Sequence, residues 1–117
     1  MVNSIGNNLA ALKAFGTKME TTAKNIANVN SEEYKKNRAT LKEGPNSGVQ
    51  ADVERINTPV PSIATVEGDQ ITKKELSNVD LAEEISDMII TKHGYSANLQ
   101  AVKTQDEMLG ATLDILG

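Results

Sequence analysis

From Leu81 to the end of the chain, one positional rule holds without a slip. Leu81, Ile85, Met88, Lys92, Tyr95, Leu99, Val102, Asp106, Leu109, Leu113 and Leu116 follow one another at intervals of four and three. That alternation returns to one face of an α-helix every seven residues and makes a narrow seam suited to a helical partner. A strand would scatter the same residues over both faces. The spacing predicts one helix from Asp80 to about Leu116, ~55 Å long at ~1.5 Å per residue. Lys92 and Asp106 interrupt the seam. Polar residues at seam positions fix register or partner number at a cost in stability. Asp80 to Glu83 has the form of a capping box, and Glu83, Glu84 and Asp87 stand where the helix dipole favours negative charge.

A second seam lies at the other end of the chain. Ile5, Leu9, Leu12, Gly16, Met19, Ala23 and Ile26 keep the same 4, 3 spacing and predict a helix over about Ser4 to Asn28. Gly16 costs such a helix about 1 kcal/mol relative to Ala, which a close approach of another chain segment would offset. Asn28 to Ser31 supplies stop signals. Two heptad helices at opposite ends predict an antiparallel, coiled-coil-like pair. One register sets Ile26 near Ile85, Met19 near Met88, Leu12 near Tyr95 and Ile5 near Val102, with Gly16 facing Lys92. Residues beyond about 105 then outrun the shorter helix, leaving Leu109, Leu113 and Leu116 for another copy of the chain. The only aromatic residues are Phe15, Tyr34 and Tyr95. A core must therefore lean on Leu, Ile, Val, Met and Ala, which suit helix seams.

Gly44, Pro45, Gly48, Pro59, Pro61 and Gly68 punctuate the middle. Val49, Ala51 and Val53 alternate with Gln50, Asp52 and Glu54, a short strand pattern, and Ser62 to Glu67 reads as a second strand before a turn at Gly68-Asp69. Residues 32–43 suit a helix by composition and an extended chain by position, with the balance towards extended from Tyr34 onward. The fold class is mainly α: a helix in residues 1–30, a short, partly extended middle over 31–76, and a helix in 77–117.

Little here points to a reaction. The chain has no cysteine and a single histidine, His93, so neither a disulfide framework nor a usual zinc set is available. Asp80, Glu83, Glu84 and Asp87 are better read as capping and dipole complement than as a cation site. No phosphate loop, dinucleotide fingerprint or nucleophile elbow occurs. The expectation is a chain that is not an enzyme, with no catalytic or metal residues, no cofactor and no small-molecule substrate. Residues 1–45 hold seven Lys/Arg against four Asp/Glu, while residues 77–117 hold two against seven. A basic head and an acidic tail attract each other, or a neighbour's opposite end. The acidic whole argues against nucleic acid as partner. The first residues lack the pattern of a cleavable signal peptide.

Two separated motifs resemble those of the bacterial flagellar rod and hook axial proteins. The first closes the N-terminal helix: Asn25, Ile26, Ala27, Asn28, then Val29 to Glu33 and Tyr34. It is similar to the family's Asn-Asn-Ile-Ala-Asn followed by Thr-Pro-Gly-Tyr/Phe, with Lys24 in place of the first Asn and Ser31-Glu32-Glu33 in place of Thr-Pro-Gly. The second is Ser77, Asn78, Val79, Asp80, Leu81, continuing to Tyr95-Ser96-Ala97-Asn98 and Asp106 to Leu109. The short middle resembles rod subunits more than the hook. The resemblance implies copies packed through their terminal helices into a hollow helical tube that crosses the periplasm as the basal-body rod. It further implies other rod and hook subunits as neighbours, and passage through the flagellar type III export apparatus without a cleaved signal. The competing expectation is a coiled-coil adaptor or export-associated protein outside the rod.

Overall fold

The computed structural model describes the backbone from Val2 to Gly117 and the side chains from Ser4 onward. Helix α1 spans Val2–Ala27 and helix α2 spans Leu81–Leu116. Between them lie two antiparallel hairpins: β1 (Asn37–Glu43) with β2 (Val49–Arg55), and β3 (Ser62–Glu67) with β4 (Gln70–Glu75). The molecule is elongated, 81 × 24 × 20 Å. Among the described residues, no helix is long and apolar enough to cross a membrane.

The start of α2 shows why the helix begins where it does. The Asp80 carboxylate accepts hydrogen bonds from the backbone N–H of Ala82 (3.0 Å) and Glu83 (3.3 Å), satisfying two of the orphan donors of the first turn. Only half of the expected capping box forms. Glu83 turns away from the cap to the ammonium of Lys36 and the guanidinium of Arg38. At the end of α1, the Asn28 side-chain amide donates to the carbonyl of Lys24 at 2.8 Å and closes the last turn. The left-handed residue after this helix is Glu33 (φ 60°), where the resembling motif places glycine. An L-residue there costs roughly 1–2 kcal/mol. Glu33 is held by a 2.7 Å bond from its N–H to the carbonyl of Glu75.

The helices run antiparallel, with the middle of their contact beside the apolar seams and not on them. Asn25 bonds Glu84 near one end, and the Asn8 amide donates to the Gln105 side chain at 3.0 Å near the other. The inward positions of α2 are Glu84, Asp87, Thr91, Gly94, Asn98, Ala101 and Gln105, all buried or half-buried. They too step by three and four, so α2 carries a second heptad of polar and small residues beside the apolar one. Inward on α1 lie Ala11, Ala14, Lys18, Thr21 and Asn25, again at three and four. Rotation by about 100° per residue turns Leu81, Ile85 and Leu99 outward.

Two expectations are therefore corrected. Gly16 does not face Lys92 across a tight gap, for a Cβ placed there would meet nothing within 4 Å. The close approach is at Gly94, where a Cβ would stand 2.8 Å from the Phe15 ring. The overhang of α2 is also shorter than expected. With Asn8 opposite Gln105, the first residues of α1 still run beside the stretch after 105, and Leu109 is half-buried. Leu113, Ile115 and Leu116 remain outside.

Residues 32–43 resolve as a loop followed by strand. The hairpin β1–β2 lies along α1, with Gly48 at its turn close to Ala10 and Asn7. Its register pairs Ala39 with Val53 and Leu41 with Ala51. The expected strand at Ser62–Glu67 forms, and Gly68 (φ 67°) makes the turn into β4, a strand whose mixed polar composition hid it.

Candidate assembly site

The residues of both sequence motifs meet at one end of the helix pair. Asn25, 1% exposed, uses all of its amide. Its carbonyl oxygen accepts from the Tyr34 hydroxyl and the Asn37 N–H, both at 3.0 Å. Its NH2 donates to the Asn37 carbonyl at 2.7 Å and to the Glu84 carboxylate at 3.1 Å. One side chain thus mimics a strand edge for β1 and ties α1 to α2. Asn78 extends this to the next pair at the open end of that hairpin, Lys36 and Ile56. It accepts from the Lys36 N–H at 2.6 Å and donates to the Ile56 carbonyl at 2.7 Å. Asp80 caps α2, as described above.

Electrostatics tighten this knot. Glu84 is 5% exposed. Burial pushes its carboxyl up from the ordinary range, opposed by the Asn25 hydrogen bond and the Lys36 charge. Lys36 bonds Glu83 at 2.8 Å with its own stem buried. Lys35 pairs with Glu75 at 2.7 Å, and that bond together with the Val60 N–H holds the Glu75 carboxyl below its usual range. Asp80 is thereby occupied with capping, Glu83 with ion-pairing and Glu84 with the Asn25 amide, and His93 stands exposed on α2.

Away from the helix contact, apolar side chains lie open on more than one side. Leu9, Leu81, Ile85, Ile89, Ile90, Tyr95, Leu99, Met108, Leu113, Ile115 and Leu116 are all exposed large apolar residues. Of the seam positions read from sequence, Ile5, Leu12, Met19, Ile26, Met88, Val102 and Leu109 are half-buried along the edges of the helix contact. Ile5 and Val102 line one open hollow with Leu99. Ile89, Ile90, Met108 and Ile115 lie off the heptad and were not singled out by it. Their signal was plain hydrophobicity within α2. This exposed apolar surface is the candidate assembly site.

A family model described as the flagellar basal body rod FlgEFG protein C-terminal matches residues 75–115. This C-terminal stretch is therefore similar to the C-terminal region of flagellar rod and hook proteins. The stretch holds the second motif, Ser77 to Leu81, and nearly all of α2. The chain is 49% identical over 35 residues to the flagellar hook protein FlgE of Borreliella burgdorferi, covering 30% of this chain and 8% of that protein. It is 42% identical over 41 residues to FlgE of Escherichia coli, 35% of this chain and 10% of the hook protein. It is 36% identical over 62 residues to the flagellar basal-body rod protein FlgG of Bacillus subtilis, 48% of this chain and 24% of the rod protein. The matched stretches are thus a minor part of these relatives' length.

Proposed function

We propose that this chain is a non-catalytic structural subunit of the flagellar basal-body rod, which self-assembles through its terminal helices into a hollow helical tube. Its neighbours are further copies and other rod and hook subunits. It reaches the periplasm-spanning rod through the flagellar export apparatus, without a cleaved signal peptide. One observation supports this reading above the others. The contact inside the chain uses small and polar side chains, leaving the apolar face of α2 turned outward. Burying three of its leucines contributes roughly 5–8 kcal/mol in gross transfer terms, sufficient to drive association after its costs. Open-ended, heterologous contacts of that face make tubes, whereas a closed dimer would fit the adaptor reading.

Leu99→Asp tests the proposal, because Leu99 is exposed at the middle of that face. An aspartate there leaves the folded monomer intact, yet it would be buried unpaired in an assembly at a cost of several kcal/mol. In a strain shown to need the wild-type gene for swimming, the variant protein should still be made while basal bodies stop short and motility is lost. Normal swimming by that strain would reject the proposed rod seam.

A further inference from the structure

Among the described residues, the hairpin β3–β4 makes no extensive contact with either helix or with β1–β2. Among the described residues its polar ties to the body are Glu33 N–H to Glu75 O and the Lys35–Glu75 and Lys74–Glu32 pairs. The long dimension of the molecule is 81 Å, whereas α2 accounts for ~54 Å of it at ~1.5 Å per residue. The hairpin β1–β2 folds back along α1 and adds nothing to that length. The remainder matches a six-residue ribbon of ~20 Å, projecting beyond the start of α2. Isolated two-stranded ribbons are marginal in water and gain stability by covering a face.

One face of this ribbon is built to be covered. Val66 pairs with Ile71, and Ala64 with Lys73, on the same side. Val66 is 68% and Ile71 72% exposed. No carboxylate among the described residues lies within ion-pair distance of Lys73, while Lys74 on the other face pairs with Glu32 and Glu67. At the far end of the molecule, the last turns of α2 expose Leu113 (66%), Ile115 (85%) and Leu116 (79%). They carry Asp106, Glu107 and Asp114, none in an ion pair among the described residues, and no Lys or Arg after Lys103.

We infer that the projecting β3–β4 ribbon receives the C-terminal turns of α2 from a second copy of this chain, head to tail. Val66 and Ile71 cover Leu113 and Leu116, and Lys73 meets the carboxylate of Asp114. Charge selects this partner over the symmetric ones. Two α2 tips together would oppose six carboxylates, and two ribbons would set Lys73 against Lys73. The contact is heterologous and does not close on itself, so it repeats along an axis. It rests on the self-assembly reading and names the contact at the two ends of the subunit.

The chain has no cysteine, so Val66→Cys and Leu116→Cys report this contact cleanly. Both sites are exposed, and they lie at opposite ends of one molecule. Mild oxidation of a mixture of the two single variants should give a mixed disulfide dimer at least about tenfold faster than either variant alone, as the effective concentration of a docked pair demands. Lys73→Glu in the Val66→Cys chain should slow it, and Asp114→Lys in the partner should restore it. Sedimentation of the unaltered chain runs beside this. If copies associate but only like-with-like disulfides form, or none, the ribbon contact is wrong and the assembly reading stands. If the full chain stays monomeric at every concentration, both fall.

Discussion

The two ends of the helix pair differ in how they are held. At the Asn25–Glu84 end, buried polar groups from α1, β1 and α2 satisfy one another, and the knot is nearly closed to solvent. At the end past Gln105, leucines and isoleucine lie open, and among the described residues no polar bond crosses between the helices. A saturated polar knot specifies a single arrangement, because each group left unpaired in an alternative would cost ~1–3 kcal/mol. An open apolar end specifies nothing by itself and is completed by whatever covers it. The first end fixes the arrangement of the chain, and the second is the end that the proposed assembly would cover.

Breaking the knot should have the largest effect. Asn25→Ala removes four hydrogen bonds and strands the Asn37 N–H and the Glu84 carboxylate. Loss of about 3 kcal/mol is expected, read by urea denaturation of the monomer. An unchanged midpoint would mean that water replaces the amide without cost. Next comes the helix contact between the ends. Gly94→Leu forces a side chain into the Phe15 ring and should cost about 2 kcal/mol. Phe15→Ala should make that substitution less costly, and strict additivity of the two in a double-mutant cycle would show that they do not touch.

Glu84→Gln keeps an acceptor for Asn25 and removes the buried charge, so stability at neutral pH should change by less than about 1 kcal/mol. The pH dependence is the sharper measure. Burial raises the folded carboxyl's pKa above its unfolded value. Its contribution is therefore fully present below the unfolded pKa and lost as pH rises through the folded one. Wild type should gain on the glutamine variant as pH falls from neutral into the acid range. Parallel stability curves would show that Glu84 is solvated. The smallest effect on the monomer belongs to the open end. Leu113→Asp with Leu116→Asp should shift the monomer's stability by less than about 0.5 kcal/mol, yet weaken association in light scattering. Deleting residues 106–117 should yield a monomer at concentrations where the full chain oligomerises. An unaltered oligomer would show that this end takes no part in assembly.

Much of this architecture was legible in the residues. The 4, 3 periodicity of α2 and the Asp80 cap, the alternation in β2, and the Gly68 turn are local signals, and each element formed at the expected place within a few residues. The motif asparagines were legible as a resemblance, but their joint role was not. Asn25 and Asn78 are 53 positions apart, and nothing in a linear pattern says that both will edge the same hairpin. Strand β4 escaped because Lys73, Lys74 and Thr72 carry no apolar alternation, their pairing being supplied by β3.

What the sequence by itself determined was that two long helices exist and that each has an apolar stripe, since periodicity and caps act within a few turns. Only the tertiary structure decided which stripe faces inward. Two heptads, one apolar and one small and polar, lie side by side on α2. Hydrophobicity favours burying the first, yet Asn25 has its partners only if Glu84 and Asn37 are brought to it, and Phe15 has room only over Gly94. Those constraints join residues far apart in the chain, and they rotate the helices so that Leu81, Ile85 and Leu99 are left exposed.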